Sequence, residues 1–511
     1  MKPSKYQQAI YDFIDNGKGN AVVNAVAGSG KSTTLVGALD RIPASKQALF
    51  VAFNKDIVEE LILKVFSTKE KINDNRQNAL KEANSKMRQS NVNIQTLHSL
   101  GFSMIRYKEK GVILDDRKYR DFLKENFSLL YPGSIQQEQE AEFITRISQL
   151  VDLGRVNLCT DTNQIYDIAL KHGIEVVDFE CEVALKTITW GKRNMKRIDF
   201  TDMIYLPVAN GLTAWAYDFV FIDECQDLNA CQRALFLKTV KPTYGRFVAV
   251  GDPRQAIYGF AGADAESFDA LRNLPKTIEL PLSVCYRCDQ SIINISKEIV
   301  SQIEARENAP EGVVNSAALL SEIQVGDMVL CRMTAPLIDI CYKFISTGIP
   351  AYIKGRDIGS NLIKMIEKSN KKTIKTLFDH FEFEKEKMIN NVMRKIKCTH
   401  DEAVETNMVQ AYVDKIKCIE MLSDNCKTVK NITDKIESIF KDDSKGVILS
   451  TVHRSKGLEN DRVFIACPEM LPLIKKGQKE WQRAQEVNLQ YVAYTRAKNY
   501  LGFISDYTYK K

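Results

Sequence analysis

The sequence predicts an α/β protein built around two parallel sheets, each interrupted by a mainly helical insertion. Short apolar runs recur along the chain, and each leads into polar or glycine-containing sequence, as buried parallel strands do when their carboxyl ends carry functional loops. The first of these runs enters a glycine-rich turn and then a helical pattern. Residues 361–445 contain neither glycine nor proline, which favours several helices joined by polar turns.

Length and composition limit the class of protein. The 511 residues include 71 Lys+Arg and 65 Asp+Glu, a formal net charge of +6, and at about 100–200 residues per domain they predict three or four structural units. With 44% hydrophobic and 27% charged residues the chain is close to the globular average, which excludes wholesale disorder and a collagen-like architecture. A surplus of +6 over this length permits an acidic polymer as partner without demanding one.

The sequence favours a soluble, cytoplasmic protein with no membrane partner. No apolar run approaches the roughly 18 residues that span a bilayer, and the amino-terminal residues lack the apolar core of a secretory signal. The 12 cysteines lie between Cys159 and Cys467 without the spacing of a disulfide framework, which predicts free buried thiols. Cys285 and Cys288 form a CxxC pair, but a zinc site needs two more ligands at comparable spacing, and none is near them in the sequence.

The first unit is predicted to contain strands at residues 20–27, 48–53, 217–222 and 247–250. A helical block at about 106–192 interrupts this unit. Residues 69–90 are polar enough to form either a mobile loop or an exposed helix.

The second unit is predicted to contain strands at residues 329–331, 351–353, 447–451, 462–466 and 500–504. Its insertion, residues 361–445, carries 17 Lys+Arg against 15 Asp+Glu, and this near balance favours a solvated helical surface over a basic nucleic-acid patch. The predicted domain division is therefore 1–105 and 193–278 around an insertion at 106–192, then 279–360 and 446–511 around an insertion at 361–445.

A phosphate-binding loop joins the first predicted strand to the following helix. Its sequence is Ala25-Val26-Ala27-Gly28-Ser29-Gly30-Lys31-Ser32, and Thr33 follows. Small residues let backbone N–H groups turn inward around anionic oxygens, so residues 27–33 are predicted nucleotide contacts. Lys31 should reach the β- and γ-phosphates, and the Ser32 hydroxyl should ligate Mg²⁺. The alternative, a chance glycine turn with a surface lysine, is disfavoured by the position between a strand and a helix.

An acidic pair follows the predicted strand at 217–222. In Val220-Phe221-Ile222-Asp223-Glu224, Asp223 is predicted to hold the metal, and Glu224 to orient and deprotonate water. An acidic turn after a strand is common, so the pair alone leaves a functional and a purely structural reading equally open. Together with the phosphate loop, the pair strongly indicates a nucleotide-hydrolysing site.

The residues after that pair carry a family resemblance. Asp223-Glu224-Cys225-Gln226-Asp227-Leu228-Asn229 resembles the DExQDxN signature of the UvrD/Rep-like branch of superfamily 1 DNA helicases. Gly251-Asp252-Pro253-Arg254-Gln255-Ala256-Ile257-Tyr258-Gly259-Phe260 is similar to the third motif of that family. Tyr286-Arg287 resembles the fourth motif, Thr451-Val452-His453-Arg454-Ser455-Lys456-Gly457-Leu458-Glu459 the fifth, and Tyr491-Val492-Ala493-Tyr494-Thr495-Arg496-Ala497 the sixth. The motifs follow one another in the family's order.

The resemblance implies two RecA-like P-loop domains with ATP and Mg²⁺ bound between them. It implies an ATP-dependent DNA helicase that translocates on single-stranded DNA, 3′ to 5′, and unwinds duplex DNA. Its partners would be single-stranded DNA, single/double-strand junctions and unidentified replication or repair proteins. A translocase or protein-displacing module that does not unwind is the alternative, because no strand-separating pin is identified in the sequence. A third reading, a P-loop switch acting on protein partners, leaves the aromatic third motif unexplained.

The resemblance also assigns residues to the base and the ribose end of the nucleotide site. Gln7 is assigned to the adenine edge, with the adjacent Gln8 as the alternative, because a carboxamide offers one donor group and one acceptor. Tyr286 would stack on adenine, and Glu459 is assigned to the nucleotide site.

Three further residues are assigned to the transferred phosphate. Gln255 would contact the γ-phosphate or its attacking water. Arg287 and Arg496 would reach the phosphoryl group from the second domain, because a guanidinium stabilises the charge that develops on its oxygens.

The DNA contacts implied by the resemblance combine stacking on bases with hydrogen bonds to phosphates. They are Asn54, Thr96, His98, Tyr258, Phe260, Thr451 and His453. Tyr258 and Phe260 supply the rings, and the other residues supply polar groups. Ala261 stands where members of the family commonly carry arginine, which is a departure from the pattern.

Overall fold

The computed structural model describes residues 2–509, apart from residues 53, 132–136, 173, 175, 258–266, 397–398, 405, 425, 441–444 and 475–477. The chain divides into two units, Met1–Val284 and Cys285–Lys511. No helix in the described ranges is both long enough and apolar enough to cross a bilayer.

The first unit alternates strands with helices. Its strands are β1 (Asn20–Ala25), β2 (Ala48–Ala52), β3 (Val92–Thr96), β4 (Ile113–Leu114), β5 (Arg197–Ile198), β6 (Phe219–Ile222), β7 (Arg246–Gly251) and β8 (Thr277–Leu282). Its helices are α1 (Lys5–Asn16), α2 (Lys31–Leu39), α3 (Lys55–Phe66), α4 (Lys69–Asp74), α5 (Arg76–Gln89), α6 (Leu97–Lys108), α7 (Lys118–Glu125), α8 (Phe127–Leu130), α9 (Gln137–Val156), α10 (Thr162–Lys171), α11 (Asp178–Arg193), α12 (Asp202–Ala209), α13 (Ala230–Lys238) and α14 (Ser267–Arg272).

The main sheet of the first unit is parallel, with the strand order β3-β2-β6-β7-β1-β8. The register of its centre is set by Val22 opposite Ala249 and by Phe221 opposite Val248. Because parallel strands end at the same edge, the loops that follow β1, β2, β3, β6 and β7 all lie at the carboxyl edge of this sheet.

Alternate residues of the central strands pack on two different helical layers. Ala21, Val23 and Phe221 join the core that includes α1, α2 and α3. Val22 and Val220 join the core that includes α6, α12, α13 and the helical block after α6. A strand covered on both faces needs a continuous apolar run, and this is why Phe219–Ile222 is buried at every residue.

A buried ion network joins the first helical insertion to α12. Arg155 on α9 donates to Asp199 at 2.7 and 2.8 Å and to Asp202 at 2.9 Å, and Lys118 on α7 donates to Asp202 at 2.6 Å. The side chains of Lys118, Arg155 and Asp202 are 0% exposed, so water cannot replace a lost partner. Since α12 packs against α6, which begins at the end of β3, the network fixes the insertion relative to the sheet.

The second unit repeats the architecture. The strand β9 (Val284–Cys285) spans the boundary between the units. The strands that follow are β10 (Glu304–Ala305), β11 (Val313–Ala318), β12 (Met328–Cys331), β13 (Ala351–Ile353), β14 (Val447–Thr451), β15 (Asn460–Ile465) and β16 (Ala497–Ile504). Its helices are α15 (Gln290–Lys297), α16 (Thr334–Ser346), α17 (Arg356–Ser369), α18 (Ile374–Ile396), α19 (His400–Val404), α20 (Asn407–Ser423), α21 (Val429–Ile439) and α22 (Glu480–Tyr494).

The second sheet is also parallel, with the order β11-β16-β15-β12-β14-β13. Val329, Leu449 and Phe464 point into one core together with side chains of α16, α17, α18, α20 and α21. The helical insertion of this unit is therefore packed on its sheet and is not a separate appendage.

The predicted fold class is confirmed. Both sheets are parallel, and the glycine-free and proline-free segment 361–445 folds mainly as helices, from α17 to α21. Residues 69–90 form α4 and α5, with Ala79 and Ala83 as their buried residues, so the exposed helix is the correct one of the two alternatives. The six-part domain division stays a prediction.

The strands β3, β8 and β11 were missed by the sequence prediction, and each lies at an edge of its sheet. Edge strands are covered less completely than central ones, so their sequences need not be continuously apolar. In β8, Ile278, Glu279 and Pro281 are exposed, and a proline is tolerated there because an edge strand has free backbone positions.

Asp202→Ala should lower the free energy of unfolding of the first unit by about 3–5 kcal/mol, because it leaves Lys118 and Arg155 buried without their shared carboxylate. A urea titration followed by intrinsic fluorescence measures the loss, since the Trp190 ring lies 5.9 Å from Lys118 Nζ. The matched control is Asp152→Ala, which removes a carboxylate 2.6 Å from the same arginine but 62% exposed, and should cost less than about 1 kcal/mol. Equal losses in the two variants would contradict the importance of burial in this network.

Candidate active site

The phosphate loop connects β1 to α2 at the carboxyl edge of the first sheet. Gly28 (φ 66°) and Gly30 (φ 74°) adopt left-handed backbone conformations, which glycine enters without a steric penalty. Gly30 is the N-cap of the nine-residue α2 and supplies no side-chain bond, so the first N–H groups of the helix keep their capacity to bind an anion.

The Ser29 side chain also bears on whether a nucleotide fits this loop. Ser29 Oγ is buried and has no hydrogen-bond partner within the described part of the chain. A buried hydroxyl without a partner costs about 1–3 kcal/mol, which a ligand oxygen would relieve. Ala27 is buried, whereas Thr33 is exposed on the first turn of α2. The partnerless hydroxyl and the uncapped helix end fit a bound triphosphate.

Lys31 is surrounded by three carboxylates. Its Nζ lies 2.8 Å from Glu224 Oε1, and 12% of its side chain is exposed. Burial alone would lower the pKa of Lys31, but Glu224, Asp223 and Asp252 together raise that pKa above its ordinary value. Lys31 is therefore a permanent cation beside the loop.

Ser32 and Asp223 form a pair of hard oxygen ligands. Ser32 Oγ donates to Asp223 Oδ2 at 3.0 Å. Burial, reinforced by the neighbouring Glu224, raises the pKa of Asp223 to about 6, although Lys31 opposes the rise. A carboxylate whose charge is disfavoured in this way gains strongly from a bound cation, and Mg²⁺ prefers such oxygens. The pair therefore fits a Mg²⁺ ion.

Glu224 has a left-handed backbone, with φ 54° and ψ 40°. This region costs a residue with a Cβ about 1–2 kcal/mol. Its backbone N–H donates to Asp223 Oδ1 at 2.9 Å, which helps to hold the turn. Strained residues of this kind persist where their surroundings fix them, and they concentrate at functional sites.

Gln255 lies in the loop after β7. Its Nε2 donates to Asp252 Oδ2 at 2.6 Å, and both side chains are buried. Burial raises the pKa of Asp252, and Lys31 opposes the rise. Because β6, β7 and β1 are neighbours in the sheet, the loops after these three strands meet around Lys31.

In the second unit, Arg287 and Glu459 form an ion pair. Arg287 Nε donates to Glu459 Oε2 at 2.6 Å, and Nη1 donates to the Thr495 carbonyl oxygen at 3.1 Å. Lys498 Nζ lies 3.2 Å from Glu459 Oε1. Burial would raise the pKa of Glu459, but Arg287 and Lys498 lower it overall, so the carboxylate stays ionised.

Arg496 is 1% exposed and lies beside the same segment of the second unit. Its Nη1 donates to the Leu458 carbonyl oxygen at 3.0 Å, and its Nε donates to the Val492 carbonyl oxygen at 3.0 Å. The adjacent residues Leu458 and Glu459 thus accept hydrogen bonds from the two predicted phosphate-contacting arginines of this unit. Leu458 accepts from Arg496, and Glu459 accepts from Arg287.

Comparison with known families supplies the deciding observation. The chain matches the UvrD/REP helicase N-terminal domain over residues 6–276, more than half of the 511 residues. The chain belongs to the UvrD/REP helicase family. It also matches the UvrD-like helicase C-terminal domain over residues 356–508, in the second unit. The family resemblance predicted from the motifs is confirmed.

Relatives of this helicase-family chain include a probable DNA helicase II homolog of Mycoplasma genitalium, 24% identical over 96% of this chain and 83% of that protein. A probable DNA helicase II homolog of Mycoplasma pneumoniae is 25% identical over 58% of this chain and 42% of its own length. F-box DNA helicase protein 1 of Schizosaccharomyces pombe is 28% identical over 56% of this chain and 33% of its own length. The matches span less than half the length of the last two relatives.

Gln7, the adenine contact predicted for this member of the UvrD/REP helicase family, lies against the phosphate-loop helix. Its Oε1 accepts from the Ser4 backbone N at 3.0 Å, and its Nε2 donates to Thr34 Oγ1 at 3.0 Å. Thr34 Oγ1 in turn donates to the Gly30 carbonyl oxygen at 2.9 Å, so Gln7 links α1 to the loop. Its contact with adenine stays a prediction, and so does the alternative at Gln8.

Tyr286, predicted to stack on adenine, is partly buried. Arg306 Nη1 donates to the carbonyl oxygens of Tyr286 and Cys288, at 3.2 and 3.0 Å. These bonds fix the turn that carries Arg287, while the stacking role of Tyr286 stays a prediction.

Two of the predicted DNA contacts act as helix N-caps. Asn54 Oδ1 accepts from the Ile57 backbone N at 2.9 Å, and Thr96 Oγ1 accepts from the Ser99 backbone N at 3.1 Å. They follow the neighbouring strands β2 and β3, so they share one edge of the sheet. Each cap leaves side-chain N–H or O–H donors, which can bind phosphate oxygens.

The two predicted DNA-contacting histidines are neutral at pH 7. Burial lowers the pKa of His98, whose ring packs edge-to-face on Phe200 with the centroids 5.8 Å apart. Burial, followed by the charge of Arg332, lowers the pKa of His453 to about 3. A neutral imidazole can donate an N–H to a phosphate but adds no positive charge.

The remaining DNA predictions stay predictions. Thr451 is the last residue of β14, and Tyr258 and Phe260 lie outside the described residues. Asp252 and Gln226 received no role from the sequence, yet the structure places both among the predicted catalytic groups. The sequence signal that could have identified Asp252 and Gln226 is their position inside the two motif segments that contain Glu224 and Gln255.

Glu224→Gln should abolish ATP turnover while nucleotide affinity stays within about twofold, because loss of a general base costs about 10²–10⁴ in rate. Lys31→Ala should instead weaken nucleotide binding by about tenfold or more, since it removes the cation beside the loop. Phosphate release and the binding of a fluorescent ATP analogue measure the two effects. Lys64→Ala, on the exposed face of α3, is the control and should match wild type. Wild-type turnover by a folded Glu224→Gln protein would refute the water-activating role.

Proposed function

We propose that this chain is an ATP-dependent DNA helicase that translocates on single-stranded DNA in the 3′ to 5′ direction and unwinds duplex DNA. The proposal is carried by the convergence of four groups, with Lys31 2.8 Å from Glu224 and Ser32 3.0 Å from Asp223. They combine a cation, hard oxygen ligands and a carboxylate base, the set that triphosphate hydrolysis uses. Family membership and the names of the relatives support DNA as the polymer, whereas the polarity rests on the family resemblance.

Each group has one task in this proposal. Lys31 binds the β- and γ-phosphates, and Glu224 orients the attacking water and takes its proton. Mg²⁺ bound by Ser32 and Asp223 would neutralise charge on the phosphate oxygens. Gln255 contacts the γ-phosphate or the water, so it reports whether the phosphate is present.

The Lys31–Glu224 ion pair would couple ATP binding to activation of the base. A carboxylate paired with an ammonium is a weaker base, because the pair stabilises its charged form. When Lys31 turns to the phosphates, its ion pair with Oε1 of Glu224 is broken, and the carboxylate becomes a stronger base. Binding of the triphosphate thus prepares the group that hydrolyses it.

Movement requires that the nucleotide state change the grip on DNA. Arg287 and Arg496 belong to the second unit, and in this proposal they contact the phosphoryl group that Lys31 binds. ATP would then favour closure of the two units, and hydrolysis would allow them to reopen. Alternate gripping of the DNA strand by the two units would give directional stepping toward single/double-strand junctions. We place this activity in the cytoplasm or nucleoid, with replication or repair proteins as partners.

Two assays on the intact chain test the proposal. Single-stranded DNA should raise the ATPase rate by about tenfold or more, equal to at least about 1.4 kcal/mol of barrier. A duplex with a 3′ single-stranded tail should be unwound, whereas 5′-tailed and blunt duplexes should not, and Lys31→Ala protein serves as the control for contaminating activity.

Other outcomes separate the alternatives. Displacement of a protein block from single-stranded DNA without strand separation would favour the translocase that does not unwind. An ATPase rate indifferent to single-stranded DNA would contradict the proposal and favour a switch acting on protein partners.

A further inference from the structure

Gln226 lies inside the first unit, between the turn that carries Glu224 and the loop after β7. Its side chain is 2% exposed. Its Nε2 donates to Glu224 Oε2 at 2.6 Å and faces Asp227 Oδ2 at 3.4 Å, while its Oε1 accepts from the Asp252 backbone N at 3.0 Å. The orientation of the carboxamide is fixed, because only its oxygen can accept from an N–H and only its nitrogen can donate to a carboxylate.

The chain leaves room for this carboxamide at Gly251. A Cβ on Gly251 would lie 2.5 Å from Gln226 Oε1 and 2.7 Å from Cys225 Sγ. Both distances are shorter than real Cβ contacts, so a larger residue at 251 would displace the Gln226 side chain or the strand. Gly251 and Gln226 are therefore a sterically matched pair.

Glu224 is held from two sides. Lys31 Nζ contacts Oε1 at 2.8 Å, and Gln226 Nε2 contacts Oε2 at 2.6 Å. If Lys31 moves to the phosphates, the bond from Gln226 still fixes the plane of the carboxylate. Oε1 is then the oxygen that has lost its contact with Lys31 and is the one we expect to face a water molecule.

We infer that Gln226 is a positioning residue that aims the Glu224 carboxylate at the attacking water and ties that aim to the loop of Gln255. The inference rests on the proposed role of Glu224. Three hydrogen bonds form the link, from Gln255 to the Asp252 side chain, from the Asp252 backbone to Gln226, and from Gln226 to Glu224. A displacement of Gln255 by the γ-phosphate therefore reaches the base through one continuous chain of bonds.

Gln226→Glu and Gln226→Met separate the two bonds. Ionised glutamate keeps an oxygen that accepts from the Asp252 N–H but repels Glu224 instead of donating to it. Methionine has a similar length, makes neither bond and adds no charge. Both variants should lower kcat for ATP hydrolysis about 10- to 100-fold. KM for ATP should stay within about twofold, because the described bonds of Gln226 do not go to the phosphate loop.

Hydrogen–deuterium exchange of the nucleotide-free protein gives a readout independent of activity. The Asp252 amide should exchange faster in Gln226→Met than in wild type, and at the wild-type rate in Gln226→Glu, which retains the acceptor. Gln164→Glu is the matched control, since Gln164 accepts from the Thr160 backbone N at 2.7 Å on an exposed helix end. It should equal wild type in both assays.

A double variant completes the test. Adding Gln226→Met to Glu224→Gln should lower single-turnover hydrolysis no further than Glu224→Gln alone, because both changes act on one carboxylate. Four results would each overturn the inference. They are additive losses in the double variant, a wild-type kcat in Gln226→Met, unchanged Asp252 exchange in Gln226→Met, and an equal loss of kcat and nucleotide affinity. Retained turnover in Glu224→Gln alone would overturn the proposed role of Glu224 instead, so the two failures are distinguishable.

Discussion

The charge balance around Lys31 is the constraint on which the rest of the site depends. Three carboxylates, from Asp223, Glu224 and Asp252, act on one largely buried ammonium. At an effective dielectric constant of about 20, like charges 4 Å apart repel by about 4 kcal/mol, so the cluster is costly without a cation. Burial, reinforced by repulsion from Glu224, raises the pKa values of Asp223 and Asp252, and Lys31 opposes both shifts. A triphosphate that draws Lys31 away would remove that compensation, which gives a physical reason for Mg²⁺ to bind together with the nucleotide.

The order of the strands creates this cluster, and the central strands, although not their order in the sheet, could be predicted from the sequence. Central strands such as Phe219–Ile222 are buried on both faces and appear as continuous apolar runs. Edge strands have a weaker signal, and Thr277–Leu282, which includes an exposed glutamate and a proline, was missed for that reason. The buried pair of Lys118 and Asp202 was also beyond prediction, because charged residues 84 positions apart resemble solvated ones until the fold brings them together.

In the site, too, features formed by adjacent residues could be predicted, whereas contacts between residues distant in the sequence could not. The phosphate loop and the Asp223-Glu224 pair could be identified because their chemistry depends on adjacent residues and on their place after a strand. The bond between Gln226 and Asp252 joins residues 26 positions apart and needs the parallel pairing of β6 with β7, so spacing alone did not reveal it. Asn54 and Thr96 carry an N-cap signal as well as a motif signal, and the structure shows the capping bonds while their proposed phosphate contacts await a bound strand.

A crystal structure of the chain with Mg²⁺ and a non-hydrolysable ATP analogue would test the central claim most directly. The quantity to measure is the distance from Lys31 Nζ to Glu224 Oε1, which is 2.8 Å in the present structure. We expect this distance to exceed about 4 Å, beyond the range of an ion pair, with Lys31 on the phosphates and Gln226 still bonded to Glu224. An ion pair that stays closed while the analogue occupies the phosphate loop would contradict the coupling of ATP binding to activation of the base.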